Sequence, residues 1–338
     1  MNILITGIHG FVGSNLVAAL KAQHTIYGLD IVSPQKSGVE QTFGWNELEK
    51  IPPVDAVIHL AGKAHDTQNT AAEQEYFDIN LGLTRRIFEF ILQSGATKFI
   101  FFSSVKAVAD TVPGEYLTEE KTPTPGTPYG RSKLAAENYL LENNAQPATP
   151  SDQVNRAGSN KQPATSNPVR PGHPGGQRNS LFILRPCMIH GPGNKGNLNL
   201  LYRMVSKGIP WPLGAFENKR SFTTIDNLSF VISQIIEKEI EPGIYNMADD
   251  VPLSTNRLIE LIAESKGKKA QIWNLSPKLI TLAARAGDRL GLPLNSERLK
   301  KLTESYVVSN QKLKKALDIK NMPVSAEEGM KKTLESFK

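Results

Sequence analysis

Short apolar runs alternate with longer amphipathic segments over the first half of the chain. The longer segments, residues 14–20, 71–94 and 129–142, are predicted helices. The apolar runs are predicted strands, and they cover residues 2–6, 25–29, 55–60, 98–102 and 181–184, with a weaker candidate at 41–43. Strands that alternate with helices through short connections predict an α/β fold with a doubly wound parallel sheet.

The pattern changes from Gly191 onward, where short predicted strands and helices are mixed. Predicted helices cover residues 198–207, 225–238, 256–266 and 326–337, and a predicted strand covers 243–246. This arrangement suits a smaller C-terminal α/β lobe that binds the substrate. We therefore expect a first domain of residues 1–190 and a mainly substrate-binding lobe of residues 191–338.

One segment, Ala145–Asn179, interrupts the first domain with a different composition. It contains six prolines, no aromatic residue, and no Leu, Ile or Met. Such a segment cannot bury enough apolar surface to offset the entropy that is lost on ordering. We therefore predict that it is a disordered or loosely packed insertion.

Composition and charge narrow the functional classes. The chain of 338 residues is 39% hydrophobic and 21% charged, which is typical of a globular protein. A net charge of +6 can indicate nucleic-acid binding. Here the excess lies largely in the predicted insertion and in paired lysines near the C-terminus, so we interpret it as solvated surface and predict no nucleic-acid partner.

The cysteine and histidine content indicates the cellular compartment and whether a metal site is expected. The single cysteine, Cys187, excludes an internal disulfide, and no signal peptide is recognised, so we expect a cytoplasmic protein. No uncharged apolar run approaches the roughly 18 residues that a membrane-spanning helix needs. The six histidines show no metal-ligand spacing, so no metal site is predicted.

Candidate chemistry begins at the end of the first predicted strand. Three glycines follow that strand and lead into the first helix, and the second strand ends in Asp30, 23 residues after Gly7. Glycine permits the tight turn, and the helix N-terminus favours phosphate groups, so the stretch predicts a dinucleotide site. An acid at the second strand end binds ribose hydroxyls and disfavours a 2′-phosphate, which indicates NAD rather than NADP. The predicted cofactor contacts here are Gly7, Gly10, Phe11, Val12, Gly13 and Asp30.

A second set of residues has the chemistry of hydride transfer at a carbinol. Tyr129 and Lys133 lie four residues apart and share a helix face, and Ser104 ends the predicted strand before them. Tyrosine, with a pKa near 10, is a poor base unless a nearby ammonium group favours its phenolate. We therefore predict that Tyr129 is the base, that Lys133 tunes it and binds the cofactor ribose, and that Ser104 orients the substrate oxygen.

Further motifs accompany these residues along almost the whole chain, except Ala145–Asn179. They are Thr6-Gly7, Gly10, Gly13, Asp30, His59-Leu60-Ala61-Gly62, Asn80, Ser103-Ser104, Tyr129, Lys133, Leu184-Arg185-Pro186 and Gly191-Pro192-Gly193. The set resembles the extended short-chain dehydrogenases/reductases, whose sheet is of the Rossmann type, and among them the NAD-dependent epimerase/dehydratase family. The resemblance is strongest to its UDP-glucose 4-epimerase-like branch.

The resemblance implies further contacts and partners. NAD would also contact Leu60, Ala61, Gly62, Asn80, Ser103, Tyr129 and Lys133. The substrate would contact Ser104, Lys106, Asn197 and Arg220, the last two at its diphosphate. That substrate would be a nucleotide sugar, such as a UDP-hexose or UDP-N-acetylhexosamine, or a polyprenyl-linked sugar for surface polysaccharides. The segments 71–94 and 129–142 resemble the helix pair that forms the family's homodimer interface.

Two departures from the family patterns bear on the activity. Family dehydratases carry an Asp-Glu pair after the catalytic hydroxyl residue, whereas this chain has Val105-Lys106, which argues against 4,6-dehydration. Many 4-epimerases carry Val-Tyr-Gly beyond the serine motif, whereas this chain has Val108-Ala109-Asp110, which argues against a strict UDP-galactose 4-epimerase.

The sequence leaves three functional readings. The first is an NAD-dependent sugar-nucleotide 4-epimerase that works through a transient 4-keto intermediate. The second is a one-way 4-dehydrogenase or 4-keto reductase with the same residues. The third is a non-catalytic NAD-binding module, which the retention of Ser104, Tyr129 and Lys133 argues against. The amphipathic segment 275–294 either packs within the lobe or makes a peripheral contact with a membrane.

Overall fold

A computed structural model describes residues 1–32, 34–63, 72–112, 114–145, 179–194, 196–290 and 295–337. The chain divides into two compact units that are interleaved along the sequence. The first unit comprises Met1–Ala107, Pro125–Leu184 and Glu241–Ile244. The second comprises Val108–Thr124, Arg185–Ile240 and Tyr245–Lys338.

The main sheet confirms the doubly wound parallel architecture. Its strands are β1 (Asn2–Thr6), β2 (Thr25–Asp30), β3 (Gln41–Gly44), β4 (Ala56–His59), β5 (Lys98–Phe102), β6 (Ser180–Pro186) and β9 (Gly243–Met247). Their order is β3-β2-β1-β4-β5-β6-β9. The chain therefore adds β2 and β3 on one side of β1 and then crosses over to add the remaining strands on the other side. Ile3 of β1 pairs in parallel with Ile26 on one side and Ala56 on the other. The weak strand candidate at 41–43 is confirmed as β3.

In its described residues the first unit has three α-helices: α1 (Phe11–Leu20), α2 (Glu73–Ser94) and α3 (Pro128–Ala145). Helix α2 ends at Gly95, whose φ of 75° is a left-handed conformation that favours glycine. Helix α3 begins at a proline, a residue suited to the first helical position. The core of this unit joins strands to α2 and α3 through fully buried side chains, among them Leu4, Val57, Ile87, Phe88, Phe99 and Leu140.

The second unit contains the short parallel strands β7 (Met188–His190) and β8 (Phe222–Thr224) together with seven helices described in the structure. The helices are α4 (Asn197–Ser206), α5 (Ile225–Glu237), α6 (Thr255–Glu264), α7 (Pro277–Leu290), α8 (Ser296–Thr303), α9 (Gln311–Leu317) and α10 (Ala326–Glu335). Four of them begin at a side chain that accepts an N–H from the first turn, which offsets the unpaired donors there: Thr224, Ser254, Asn295 and Ser325.

Two parts of the sequence predictions fall mainly outside the described residues. The predicted insertion 145–179 is described only at its two ends. The last four residues of the amphipathic segment 275–294 also lie outside the description. No helix in the described part of the chain is long and apolar enough to cross a membrane.

Candidate active site

In the glycine turn after β1, backbone atoms pack closely against one another. The Gly7 N–H donates to the Leu29 carbonyl at 2.8 Å, and the Gly10 N–H donates to the Gly7 carbonyl at 3.0 Å. Gly7 has a φ of 69°, which other residues rarely adopt. A Cβ on Gly13 would lie 2.6 Å from the Gly7 oxygen and 2.8 Å from the Ile8 Cα, so only glycine fits there.

Helix α1 begins at Phe11 directly after this turn. Its N-cap residue is Gly10, which has no side chain to accept the first N–H groups of the helix. Those donors, and the positive end of the helix dipole, are therefore left for a bound anion. A small-residue turn and an uncapped helix start fit the pyrophosphate of a dinucleotide, and they position Phe11 and Val12 beside it.

Asp30 is held at the end of β2 with its carboxylate fixed by two backbone donors. One oxygen accepts the His9 N–H at 3.0 Å, and the other accepts the Ile31 N–H at 2.8 Å. Beside it, Lys36 donates to the Ile8 carbonyl at 3.0 Å and to the Ser14 hydroxyl at 2.6 Å. Burial lowers the pKa of Lys36, and the charge of Asp30 opposes that shift. Sequence reasoning missed Lys36 because it lies in a loop without a motif.

The end of β4 is tied to β1 through buried side chains. The Thr6 hydroxyl accepts the Ala61 N–H at 3.0 Å and lies 2.7 Å from the His59 Nδ1. The other ring nitrogen of His59 lies 3.0 Å from the Thr84 hydroxyl on α2. Complete burial lowers the pKa of His59 to about 3, so this ring is neutral near neutral pH. His59 therefore braces the turn at Leu60 as a neutral ring.

Asn80 connects that turn to α3. Its amide oxygen accepts the Lys63 N–H at 2.8 Å, and its amide nitrogen donates to the Ser132 hydroxyl at 2.9 Å. A Cβ on Gly62 would lie 2.7 Å from the Asn80 oxygen and 3.2 Å from the Lys133 ammonium. The structure therefore brings Gly62, Asn80 and Lys133 together, as the sequence predicts for one site.

Ser104 and Tyr129 are hydrogen-bonded partners in the first unit. The bond with Ser104 lowers the pKa of Tyr129, but burial is the larger effect and raises it above its usual range. Ser104 is itself buried, and its hydroxyl accepts the Lys106 N–H at 3.2 Å. The Tyr129 ring stands edge-on to Tyr76, with 6.3 Å between ring centroids. The predicted base and the predicted orienting hydroxyl are therefore adjacent.

Lys133 lies one turn after Tyr129 on α3 and is almost fully buried. Its ammonium group donates to the Phe102 carbonyl at 2.8 Å and lies 5.1 Å from the centroid of the Phe101 ring. Burial lowers the pKa of Lys133 to about 8, while the charge of Glu137 opposes this shift. The Ser103 hydroxyl donates to the buried Glu137 carboxylate. Glu137 is a second residue that sequence reasoning missed, although it follows Lys133 by one helical turn.

The remaining predicted substrate residues lie in different parts of the chain. Lys106 is in the short 3₁₀ helix Val105–Ala107 of the first unit. Arg220 belongs to the second unit, where its backbone pairs with Leu253 and one guanidinium nitrogen donates to the Lys301 carbonyl. The Arg220 Nε is buried without a hydrogen-bond partner, and burial lowers the pKa of this guanidinium. Asn197 begins α4, and its side chain lies outside the described part.

The family model described as the NAD dependent epimerase/dehydratase family matches residues 3–151. That stretch, just under half of the chain, is an NAD-dependent epimerase/dehydratase domain. Because it carries this domain, the protein is an NAD-dependent enzyme, and the matched stretch includes every residue of the glycine turn, Ser104, Tyr129 and Lys133.

Several relatives span most of the length of this chain. It is 28% identical to the UDP-glucose 4-epimerase of Vibrio cholerae, over 99% of this chain and 95% of the relative. It is 26% identical to the N-acetyl-α-D-glucosaminyl-diphospho-ditrans,octacis-undecaprenol 4-epimerase of Escherichia coli O157:H7, over 93% of this chain and 85% of the relative. The structure of a UDP-glucose 4-epimerase from Thermus thermophilus, a complex with NAD, has the same fold, with a TM-score of 0.68, 23% identity, and coverage of 100% of this chain and 99% of that one.

Proposed function

We propose that this enzyme is a 4-epimerase that acts on a sugar linked through a diphosphate to its carrier, with NAD bound at the glycine turn. The observation that supports the proposal most strongly is the cluster of Ser104, Tyr129 and Lys133 beside Gly62 in the first unit. A hydroxyl, a phenol and an ammonium group at one place are the groups that oxidation and reduction of a carbinol require.

Each residue of the cluster has a separate task in this reaction. Tyr129 takes the proton of the C4 hydroxyl and later returns it. Ser104 donates a hydrogen bond to the C4 oxygen and holds it toward Tyr129. Lys133 supplies the positive charge that favours the phenolate against the effect of burial. NAD held at Gly7, Gly13 and Asp30 would supply the acceptor and the donor of the C4 hydride, and the transient 4-keto sugar would turn over between the two transfers.

Dehydration does not fit the surroundings of Ser104. Elimination of water needs an acid and a base beyond the redox group, and two carboxylates would be expected after the hydroxyl residue. The 3₁₀ helix Val105–Ala107 instead carries two buried apolar side chains and one lysine. The cluster is therefore equipped for transfer of a hydride and a proton without elimination.

Charge supports the proposed cofactor and the proposed carrier. Asp30 offers a carboxylate to ribose hydroxyls, which favours NAD over NADP because a 2′-phosphate would meet like charge. The relatives act, by their names, on UDP-glucose and on a sugar diphosphate of undecaprenol. Arg220 has a buried Nε without a partner, so it has a donor to give to such a diphosphate. Asn197 is proposed for the same group.

The test is turnover with less NAD than enzyme. UDP-hexoses, UDP-N-acetylhexosamines and a short-chain prenyl-diphosphate-linked N-acetylglucosamine are each incubated with the protein, and proton NMR follows the 4-epimer. We expect many turnovers without net reduction of NAD. No epimer from any substrate, or reduced NAD accumulating in proportion to product, would refute the epimerase.

Variants on α3 assign the base. Tyr129→Phe removes the proton acceptor but keeps the ring, so turnover should fall by about 10²–10⁴-fold while NAD still binds. Tyr139→Phe, the same change on the same helix beside Phe88, is the matched control and should keep its activity. Equal activity of the two variants would contradict the assignment of Tyr129.

A further inference from the structure

Helix α7 has two apolar faces, one buried and one exposed. Ile280, Ala284 and Gly287 are buried on one side, where Ile280 and Ala284 pack inside the second unit with Trp211 and Leu299. The side chains of Leu279, Leu282 and Leu290 are 66%, 65% and 71% exposed. At the angular spacing of a helix these leucines, with exposed Ala283 and Ala286 between them, form one stripe.

Two more exposed apolar side chains precede the helix in the sequence. Trp273 is 54% exposed and Leu275 is 41% exposed, in the same segment of the second unit. Single exposed apolar residues are ordinary on a protein surface, but a contiguous set of this kind indicates a binding surface. We call the surface of Trp273, Leu275, Leu279, Leu282 and Leu290 the leucine stripe.

Basic residues accompany the leucine stripe. Residues 273–303 contain six basic side chains and two acidic ones, a net charge of +4, out of +6 for the whole chain. Both acids are engaged locally. Asp288 accepts hydrogen bonds from the Ser296 N–H and hydroxyl, and Glu297 pairs with Lys301 at 2.6 Å. The basic side chains on α7 itself, Lys278, Arg285 and Arg289, are exposed.

From this pattern we infer that the leucine stripe docks the enzyme on an anionic phospholipid surface. Leucine and tryptophan side chains enter the interface, while lysine and arginine contact the headgroups, which is the pattern of helices that lie in a bilayer interface. A second copy of the chain fits less well, because a two-fold contact would oppose two surfaces of net positive charge.

This surface also refines the proposed function, on which the refinement rests. An enzyme held on a bilayer meets sugars that are carried by a lipid diphosphate, so we assign that carrier class to the substrate. The docking is measured without substrate, so its failure is distinguishable from failure of the epimerase.

The experiment is co-sedimentation of the whole protein with vesicles. One set of vesicles is phosphatidylcholine, and the other contains about one-quarter phosphatidylglycerol. We expect binding to the anionic set that weakens as salt is raised, because the basic side chains contribute. Absence of binding to anionic vesicles at low salt would overturn the inference.

Paired variants test the stripe itself. Leu279→Gln with Leu282→Gln should weaken vesicle binding at least tenfold. Leu200→Gln with Val251→Gln changes two side chains of similar exposure elsewhere in the second unit and should leave binding unchanged. Arg285→Gln with Arg289→Gln should weaken binding mainly at low salt. All these side chains are exposed, and matching thermal unfolding curves check that each variant is folded.

Two outcomes of these measurements would contradict the docking surface. Vesicle binding by the Leu279/Leu282 variant that equals wild type would show that the stripe is not the contact. A dimer in sedimentation analysis that this variant abolishes, without any vesicle binding by wild type, would assign the stripe to a second copy of the chain.

Discussion

Replacement of Gly13 by alanine tests how the glycine turn is built. The added Cβ would lie 2.6 Å from the Gly7 oxygen, which is 0.8 Å inside the 3.4 Å at which ordinary contact begins. It would also lie 2.8 Å from the Cα and the oxygen of Ile8. All three neighbours are backbone atoms, which cannot rotate away, so the turn and the start of α1 have to separate.

The expected size follows from opposing effects. Overpacking of this kind costs about 1–3 kcal/mol. Alanine is favoured over glycine within a helix by about 1 kcal/mol, which offsets part of that cost. Because all three close neighbours are backbone atoms, we take the upper end of the overpacking cost, about 3 kcal/mol. After the gain in helix propensity is subtracted, the free energy of unfolding should fall by about 2 kcal/mol. A displaced turn also loses one or two hydrogen bonds to phosphate, about 1.5–3 kcal/mol each, so NAD should bind at least tenfold more weakly.

The assays are urea unfolding and calorimetric titration of NAD, and two glycines provide comparisons. In Gly10→Ala the added Cβ would have only the Gly7 oxygen within 4 Å, at 3.1 Å. This variant should therefore lose little stability while still binding NAD more weakly. Gly82→Ala on α2 has no atom within 4 Å and should gain about 1 kcal/mol from helix propensity, with NAD binding unchanged. The packing argument is refuted if Gly13→Ala keeps both the wild-type unfolding midpoint and the wild-type NAD affinity.

Two further predictions concern the charge of Lys133 and the packing of the second unit. The ammonium of Lys133 is lost as pH rises through its lowered pKa of about 8, so kcat/KM should fall on the alkaline side near that pH. Glu137→Gln removes the charge that raises this pKa, so the alkaline limb should move to lower pH, and a pH profile that does not move would contradict the role of Glu137. Gly329→Ala in α10 would place a Cβ 2.0 Å from the Thr224 Cγ2, so urea unfolding should show a loss of about 1–3 kcal/mol. Gly267→Ala in an open turn is the comparison for strain alone, since no atom lies within 4 Å and only its φ of 66° is unfavourable.

The parallel sheet and its helices could be predicted because each element carries a local signal. Strand β4 begins with three successive apolar residues, Ala56, Val57 and Ile58, as expected of a strand buried on both faces, and α2 has apolar residues at helical spacing. The glycine turn could be predicted because its constraint is steric and local. The end of α2 is predicted correctly at Ser94, but its predicted start, residue 71, lies two residues before the observed start at Glu73, because Ala72 is extended and no capping side chain marks the start.

The parts that could not be predicted depend on residues distant in sequence. Lys36 reaches the glycine turn from 28 residues away, and no pattern around it indicates that contact. Glu137 was overlooked because a glutamate on a helix is usually exposed, whereas this one is buried beneath the Ser103 hydroxyl. Asn80 was assigned to the cofactor by resemblance alone, and the structure adds that it hydrogen-bonds the Lys63 turn and Ser132, which no single-sequence pattern contains.

The interleaving of the two units constrains the order in which the chain can fold during synthesis. The first unit contains Glu241–Ile244, and the second contains Val108–Thr124, so neither unit is a continuous stretch. While the ribosome has made only the first 190 residues, β6 lacks its neighbour β9 and presents an open sheet edge. The edge stays unpaired until about fifty more residues, up to β9, have been synthesised, which takes roughly three to ten seconds at ordinary rates of translation. A nascent chain in this interval is therefore the form of the protein most exposed to edge-to-edge aggregation and to binding by chaperones.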